Sequence, residues 1–273
     1  MHSIAMEAVT DQPFALPHIP NDKRIIPNDM IRSSLFTIAN HNCPRTYLKN
    51  QKVCSFRSTE IKYTGEELRQ DDEDVWLQLV YIAALAQKNE ISFKPYTFLS
   101  HIGWAQRTQY RDRLKVSLTR MSATTLEIYN HHFEKGIGFS LVRKFEWHND
   151  DRNEKQLSHW KVWLEPEVMK LFSELGKMYS KIHWEQRKKL KPLAKWLHAF
   201  YSSHAEPEPI HLLRLMALSG SKTKSLKHFK ENVRDAFFEL VKIGFLNPDV
   251  CIDEHFFVTV TRVKEAYKQV NYG

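Results

Sequence analysis

The chain is short of glycine, cysteine and long apolar runs, and each shortage removes a class of protein. Only 8 of 273 residues are glycine. None falls in a GxxxxGK[ST] pattern, so no loop for nucleotide phosphates is expected, and no cofactor with it. The cysteines Cys43, Cys54 and Cys251 are odd in number and widely spaced, with no CxxC pair. They fit buried, reduced thiols better than disulfides or a zinc clamp. No run of about 18 apolar residues occurs, which leaves no candidate membrane span. Residues 1–20 lack a basic region followed by an apolar stretch, so no secretory signal is expected and the protein belongs in the cytoplasm. His131 and His132 are adjacent, which on a strand sends them to opposite faces. No His-hydrophobic-His triplet is present to hold the metal of a rolling-circle nickase, so a nickase or nuclease is the weakest reading; no metal site or catalytic residue is expected.

What the chain does have is a core and concentrated positive charge. Hydrophobic residues make up 42% and aromatics 12%, enough for one large or two ordinary domains. Forty Lys and Arg against 32 Asp and Glu leave a net charge of +8. The excess lies in residues 104–122, 181–195 and 222–234, which together hold 16 basic and 3 acidic side chains, net +13; the remainder of the chain is net −5. Such concentration points to a polyanion-binding surface more firmly than overall charge does.

Local patterns supply an order of elements. Residues 1–30, with four prolines, read as an extended arm, partly disordered. SLFTIA and VCSFRSTEIKY read as strands. A helix then starts at the acidic run Asp71 to Asp74, which suits a cap and the helix dipole, with Val75, Leu79, Ile82 and Ala86 as its buried stripe. A short helix through FKPYTFLSHIGW precedes a helix whose inner face is Tyr110, Leu114, Ser117, Leu118 and Met121. Thr108, Gln109, Asp112, Arg113, Val116 and Arg120 point away from that face. TTLEIYN, FSLVRKFEW and LSHWKVWLE follow as three strands of one small antiparallel sheet. The second half repeats the order, with a helix over 184–202 in which Pro192 marks either a kink or a first turn, a short helix, a long helix ended by Gly244, and two strands. The expected fold class is therefore α+β, mainly helical, with two tandem winged helix-turn-helix domains over 31–178 and 179–273.

Several blocks carry a resemblance. YTGEEL and RQDDEDVW at 63–76, KPYTFLSHIGW at 94–104, RDRLKVSLTRM at 111–121, HWEQRKKLKPLAKWLHAFYSSHAEP at 183–207, LSGS at 218–221 and KHFKENVRDAFFELVKIG at 227–244 resemble the TrfA family of plasmid replication initiators. The likeness covers about residues 30–262. It implies two winged-helix modules that bind directly repeated origin sites, iterons, in double-stranded plasmid DNA and help open an adjacent A·T-rich segment, which brings single-stranded DNA within reach. It also implies recruitment of the host initiator, replicative helicase and sliding clamp, and self-association as a storage form. The alternative from the residues alone is a winged-helix transcriptional repressor on an operator. Gln156 to Trp160 bear a faint likeness to a clamp-binding pentapeptide, but their pattern favours a strand.

On the residues themselves, the outward face of each patterned helix suits a major groove, where base edges are distinguishable. Arg107, Thr108, Gln109, Arg111, Arg113 and Lys115 are candidates in the first helix, with sequence reading assigned mainly to Arg107, Gln109, Arg111 and Arg113. Lys222, Lys224, Lys227, His228 and Arg234 are candidates at the second, the lysines chiefly as phosphate contacts. Arg187, Lys188, Lys189 and Lys191 could lie along the backbone between the two grooves, and Arg143 and Lys144 on a wing strand could touch phosphate or a minor groove. In each case a solvated charged face is the competing explanation.

Overall fold

Within the expected N-terminal arm, residues 23–31 form a strand and a helical turn packed on the body. The computed structural model describes residues 16–40, 42–56, 59–131, 134–147, 159–173 and 179–263. In it Lys23–Pro27 form strand β1 and Asn28–Ile31 the single turn α1. Ile25 and Ile26 are fully buried, and their burial is what holds this strand in place. Phe36–Thr37 (β2), Tyr47–Val53 (β3), Thr59–Glu66 (β4) and Leu68–Arg69 (β5) follow. Along β4 buried and half-buried positions alternate, the pattern of a strand covered on one face.

The rest is built largely as two copies of one topology. The first copy contains α2 (Gln70–Ala86), β6 (Glu90–Phe93), α3 (Pro95–His101) and α4 (Thr108–Ser122). A hairpin, β7 (Thr125–Asn130) and β8 (Lys135–Phe139), intervenes before β9 (Lys144–Glu146) and β10 (Trp160–Trp163). Helix α5 (Glu167–Ser173), β11 (Tyr179–His183) and α6 (Trp184–Arg187) lead to the second copy. That copy is α7 (Pro192–Ser202), β12 (Ile210–His211), α8 (Leu212–Leu218), α9 (Leu226–Lys242), β13 (Cys251–Ile252) and β14 (Phe257–Thr259). In each, the strand between the first two helices pairs antiparallel with the last strand, giving sheet orders β6-β10-β9 and β12-β14-β13.

Four expectations need correction. With fourteen strands beside nine helices among the described residues, the fold is α+β with substantial sheet and is not mainly helical. The strands after α4 do not form one sheet: β7 and β8 join β3 and β4 in the order β3-β4-β7-β8, while β9 and β10 join β6. Ile61 and Ile128 face each other in the first sheet, and Val162 pairs with Ile91 in the second; each apolar strand closes over a different part of the core. The helix expected over 184–202 is broken, because Pro192 occupies the first turn of α7 and α6 ends at Arg187. The cysteines are not buried: Cys43 and Cys251 are exposed and Cys54 half-buried.

Helix α2 passes through the middle of this arrangement, packing on β1, α4 and α7. Val75, Trp76, Leu77, Leu79 and Val80 are all at 0% exposure, so the helix is enclosed nearly all round, with no single buried stripe. Its first turn is the most charged part of the interior. Asp72 accepts the Arg69 amide (3.0 Å), and also receives Arg45 (2.6 Å), Ser117 Oγ (2.7 Å) and Arg120 (2.7 Å). Asp71 receives Arg45 and, at 2.8 Å, Arg113. Two residues on, Asp74 receives Arg187 Nε at 2.7 Å and the Lys195 ammonium. Glu73 sits 3.4 Å from the other end of the same guanidinium, whose Nη2 also donates to Gln70. Successive helical residues are rotated by about 100°. The four carboxylates therefore splay, two toward the first copy and two toward the second. Capping accounts for only part of them; ion pairing that joins the two copies accounts for the rest.

Further ties cross the same boundary. β1 pairs residue by residue with β11, while Arg24 donates to Gln78 Oε1 and stacks over both Tyr81 and Trp184. Lys222 donates to Glu67 at 2.8 Å. Ile38 N–H donates to Ser219 O, and the chain there comes so close that a Cβ on Gly220 (φ +62°) would lie 2.7 Å from Thr37 Cγ2, a position only glycine fills without strain.

Replacing Arg187 with Met leaves Glu73 and Asp74 buried without their shared cation. It is expected to lower the urea unfolding free energy by about 3–5 kcal/mol, whereas Lys189→Met on the exposed neighbour should change it by under about 0.5 kcal/mol. Equal effects would sink the ion-pair assignment. His198 is fully buried, and burial first, then Arg187, hold its imidazole well below the usual histidine range. The folded state keeps it neutral while the unfolded chain protonates it below about pH 6.5. Its share of stability is thus present above that pH and is lost as pH falls, by up to about 1.4 kcal/mol per unit. Urea unfolding of His198→Gln should show a flatter dependence between pH 7 and pH 5 than the unmodified chain.

Candidate nucleic-acid interface

The first candidate surface is α4, and its two faces follow from the spacing of its apolar residues. Leu114, Leu118 and Met121 are at 0% exposure, and Ser117 joins them through its bond to Asp72. That fixes the opposite face outward: Arg107 at the N-cap, then Thr108, Gln109, Asp112, Arg113, Val116 and Thr119 are exposed. Arg113 is held as well as exposed. Its Nη2 donates to Asp71 at 2.8 Å, and its guanidinium lies 4.4 Å over the Trp104 ring, which leaves a flat, oriented donor edge. Arg111 is half-buried, with Nε 4.0 Å from Asp112. Lys115 lies 4.0 Å over Trp147 at the end of β9. Arg143 is exposed just before that strand, and Lys144 is exposed beside Glu146 (2.5 Å) and over Trp163.

The second surface is α9. Ser225 caps it through the His228 amide. Its end is a Schellman turn, in which Gly244 (φ +73°) donates to Val241 O and Phe245 to Leu240 O. Phe229, Val233, Ala236, Phe237 and Leu240 are buried. Lys224, Lys227, His228 and Arg234 are exposed, as expected of the outward face, while Lys230 lies 4.9 Å over Phe256 in the turn before β14. Lys222 is partly committed to Glu67.

The basic run between the two surfaces divides. Arg187 is not a surface group: at 0% exposure, with its guanidinium taken up by Glu73, Asp74 and Gln70, it cannot reach a phosphate without unfolding its surroundings. Arg120, expected to point outward, is buried against Glu66 and Asp72. Lys195 is likewise held by Asp74. Lys188 is half-buried beside Glu185 at 2.7 Å; Lys189 is exposed, and Lys191, 83% exposed, lies 3.5 Å from Glu239. Three of the sixteen cations in the basic segments thus serve the interior. Sequence patterning could not separate them, because their carboxylate partners lie 48 to 121 positions away.

A groove of about 720 Å³ runs between the copies, and Arg113 from α4, Lys191 from the N-cap of α7, Lys222, and Asn232 and Asp235 from α9 all line it. Arg113 of α4 and the Asn232–Asp235 face of α9 therefore open onto a common groove. Asn232 had not stood out in the sequence, since it is uncharged and follows a run chosen for its lysines. The clue that would have found it is its place on the same exposed face as His228.

Plasmid replication initiator protein TrfA of Escherichia coli is 33% identical over 236 residues, which cover 85% of this chain and 60% of that protein; the chain thus spans about three-fifths of its relative's length. A crystal structure of domains 2 and 3 of RctB superposes with a TM-score of 0.59 at 13% identity, over 86% of this chain and 98% of the other. The crystal structure of the Pi initiator protein in complex with iteron DNA gives 0.52 at 12% identity, over 71% and 92%. At such identities the structural likeness speaks for the fold. A family model described as TrfA protein matches residues 7–258, and the chain belongs to that family.

Proposed function

We propose that the protein is a plasmid replication initiator that binds directly repeated origin sites through two winged-helix modules, divided near residues 173–183. The observation that carries this reading is the repeated topology, in which a third helix and a strand hairpin recur with a basic outward helix in each copy. Helix, strand, helix, helix and hairpin is the arrangement by which winged-helix proteins present their third helix to a major groove. Membership of the TrfA family and the fold shared with an initiator solved on iteron DNA favour an origin repeat over an operator.

In this reading Arg107, Gln109, Arg111 and Arg113 read bases under α4. Lys224, Lys227, His228 and Arg234 hold the duplex under α9, with Lys189 and Lys191 near the backbone between them. Arg143 and Lys144 extend the contact along the first hairpin, and Lys115 and Lys222 contribute charge from positions already held by Trp147 and Glu67. The activity is binding and distortion of DNA, followed by recruitment of the host initiator, helicase and sliding clamp, with no chemical step of its own. Opening of the origin would bring single-stranded DNA to the same surface.

The electrostatic part of the reading has a direct test. With six to ten phosphate contacts, log K should fall with log salt at a slope of roughly 5 to 9. Lys227→Ala should weaken binding to all sequences alike and reduce that slope by about 1. Gln109→Ala should leave the slope unchanged and relax preference at one base pair. Fluorescence anisotropy on duplexes carrying the plasmid's own repeats measures both, and a salt-independent affinity would overturn the proposal.

A further inference from the structure

Helices α4 and α9 are the same helix in two chemical versions. Leu114, Ser117, Leu118 and Met121 fall on Val233, Ala236, Phe237 and Leu240, an offset of 119 residues. From Thr108 with Lys227 to Ala123 with Lys242, buried, half-buried and exposed positions coincide. The exceptions are Tyr110 with Phe229, Lys115 with Arg234 and Arg120 with Glu239. The match extends to charge, since Asp112 and Glu231 are both exposed acids at the same place. It therefore identifies which outward side chains are equivalent: Gln109 with His228, Asp112 with Glu231, Arg113 with Asn232, and Val116 with Asp235.

The pair Arg113 and Asn232 is the informative one. Both are exposed and both line the groove between the copies, so the two helices bring this position to one surface. Their hydrogen-bonding codes differ. A guanidinium only donates, which matches the O6 and N7 acceptors of guanine. A carboxamide donates and accepts, which matches N7 and the N6 amino group of adenine. Arg113 is oriented by Asp71 and Trp104. Asn232 makes no side-chain hydrogen bond among the described residues, so both sides of its amide are available.

We propose that Asn232 is a specificity-determining residue of α9 that reads an adenine, as the counterpart of Arg113 reading a guanine under α4. The inference rests on the DNA-binding reading above and sharpens it. Since equivalent positions carry unlike chemistry, one molecule recognises two unlike half-sites in a fixed order. The site is then directional, as a direct repeat is, and a single protein cannot match a palindrome.

The test is selection of binding sites from a random duplex pool by the full chain and by Asn232→Ala, followed by affinity measurement on the selected consensus. The full chain should yield a consensus in two unlike parts. Asn232→Ala should lose preference for adenine at one position, by roughly 5- to 100-fold, and keep every other preference and its thermal midpoint. Placing 7-deazaadenine there should weaken the full chain and leave Asn232→Ala indifferent. An unchanged consensus for Asn232→Ala, or an equal loss at all positions, would overturn the inference while leaving DNA binding intact. Absence of any consensus for the full chain would overturn the DNA-binding reading itself.

Discussion

The structure depends on one helical turn. Residues Asp71 to Asp74 begin a helix that is buried on nearly every side, and the rotation between successive side chains sends their carboxylates to different neighbours. Arg45, Arg113 and Arg120 meet the first two, while Arg187 and Lys195 meet the last. Desolvating so many charges is costly unless each finds a partner with good geometry, and here each does. The partially positive end of the helix adds to the stabilisation of the acids. Because Arg120 lies on α4 while Lys195 lies on α7, against which α9 packs, this turn sets where both candidate reading helices stand.

That dependence explains which parts were legible from the chain. The inner faces of α4 and α9 were, because spacing of apolar residues in an amphipathic helix reports burial directly. Exposure of Gln109, Arg113, Lys227 and His228 followed from the same spacing. The buried stripe assigned to α2 was less apt: Ala86 is exposed and Trp76 and Leu77 are fully buried, since periodicity carries no information about a helix enclosed all round. The role of Arg187 was hidden for another reason. A basic residue among lysines looks like its neighbours, and only the fold brings Asp74, 113 positions distant, to its guanidinium. Residues 23–27 were obscured similarly, since the prolines at 17, 20 and 27 suggest an extended segment, while the partner strand that secures Ile25 and Ile26 is Tyr179–His183, far along the chain.

Charge balance reads differently once those partners are known. Part of the concentration of cations in residues 104–122 and 181–195 neutralises buried acids, and the remainder, with the cations of residues 222–234, is spread over α4, α9 and the segment between α6 and α7. Net charge alone overstates the exposed positive surface, because Arg120, Arg187 and Lys195 are committed to buried acids. A rigid tie between copies suits recognition of one duplex by two helices, because ordering them in advance removes a cost that binding would otherwise carry.

The central claim is that α4 and α9 of one molecule contact unlike sequences within a single repeat. Site-specific photocrosslinking from position 109 and from position 228, on a duplex carrying one origin repeat, tests it most directly, with stoichiometry from native mass spectrometry. Crosslinks at two different sequences in the same repeat, with one protein bound, are the expected result. Crosslinks from both positions to the same sequence, or none from position 228 at a site that position 109 still contacts, would contradict it.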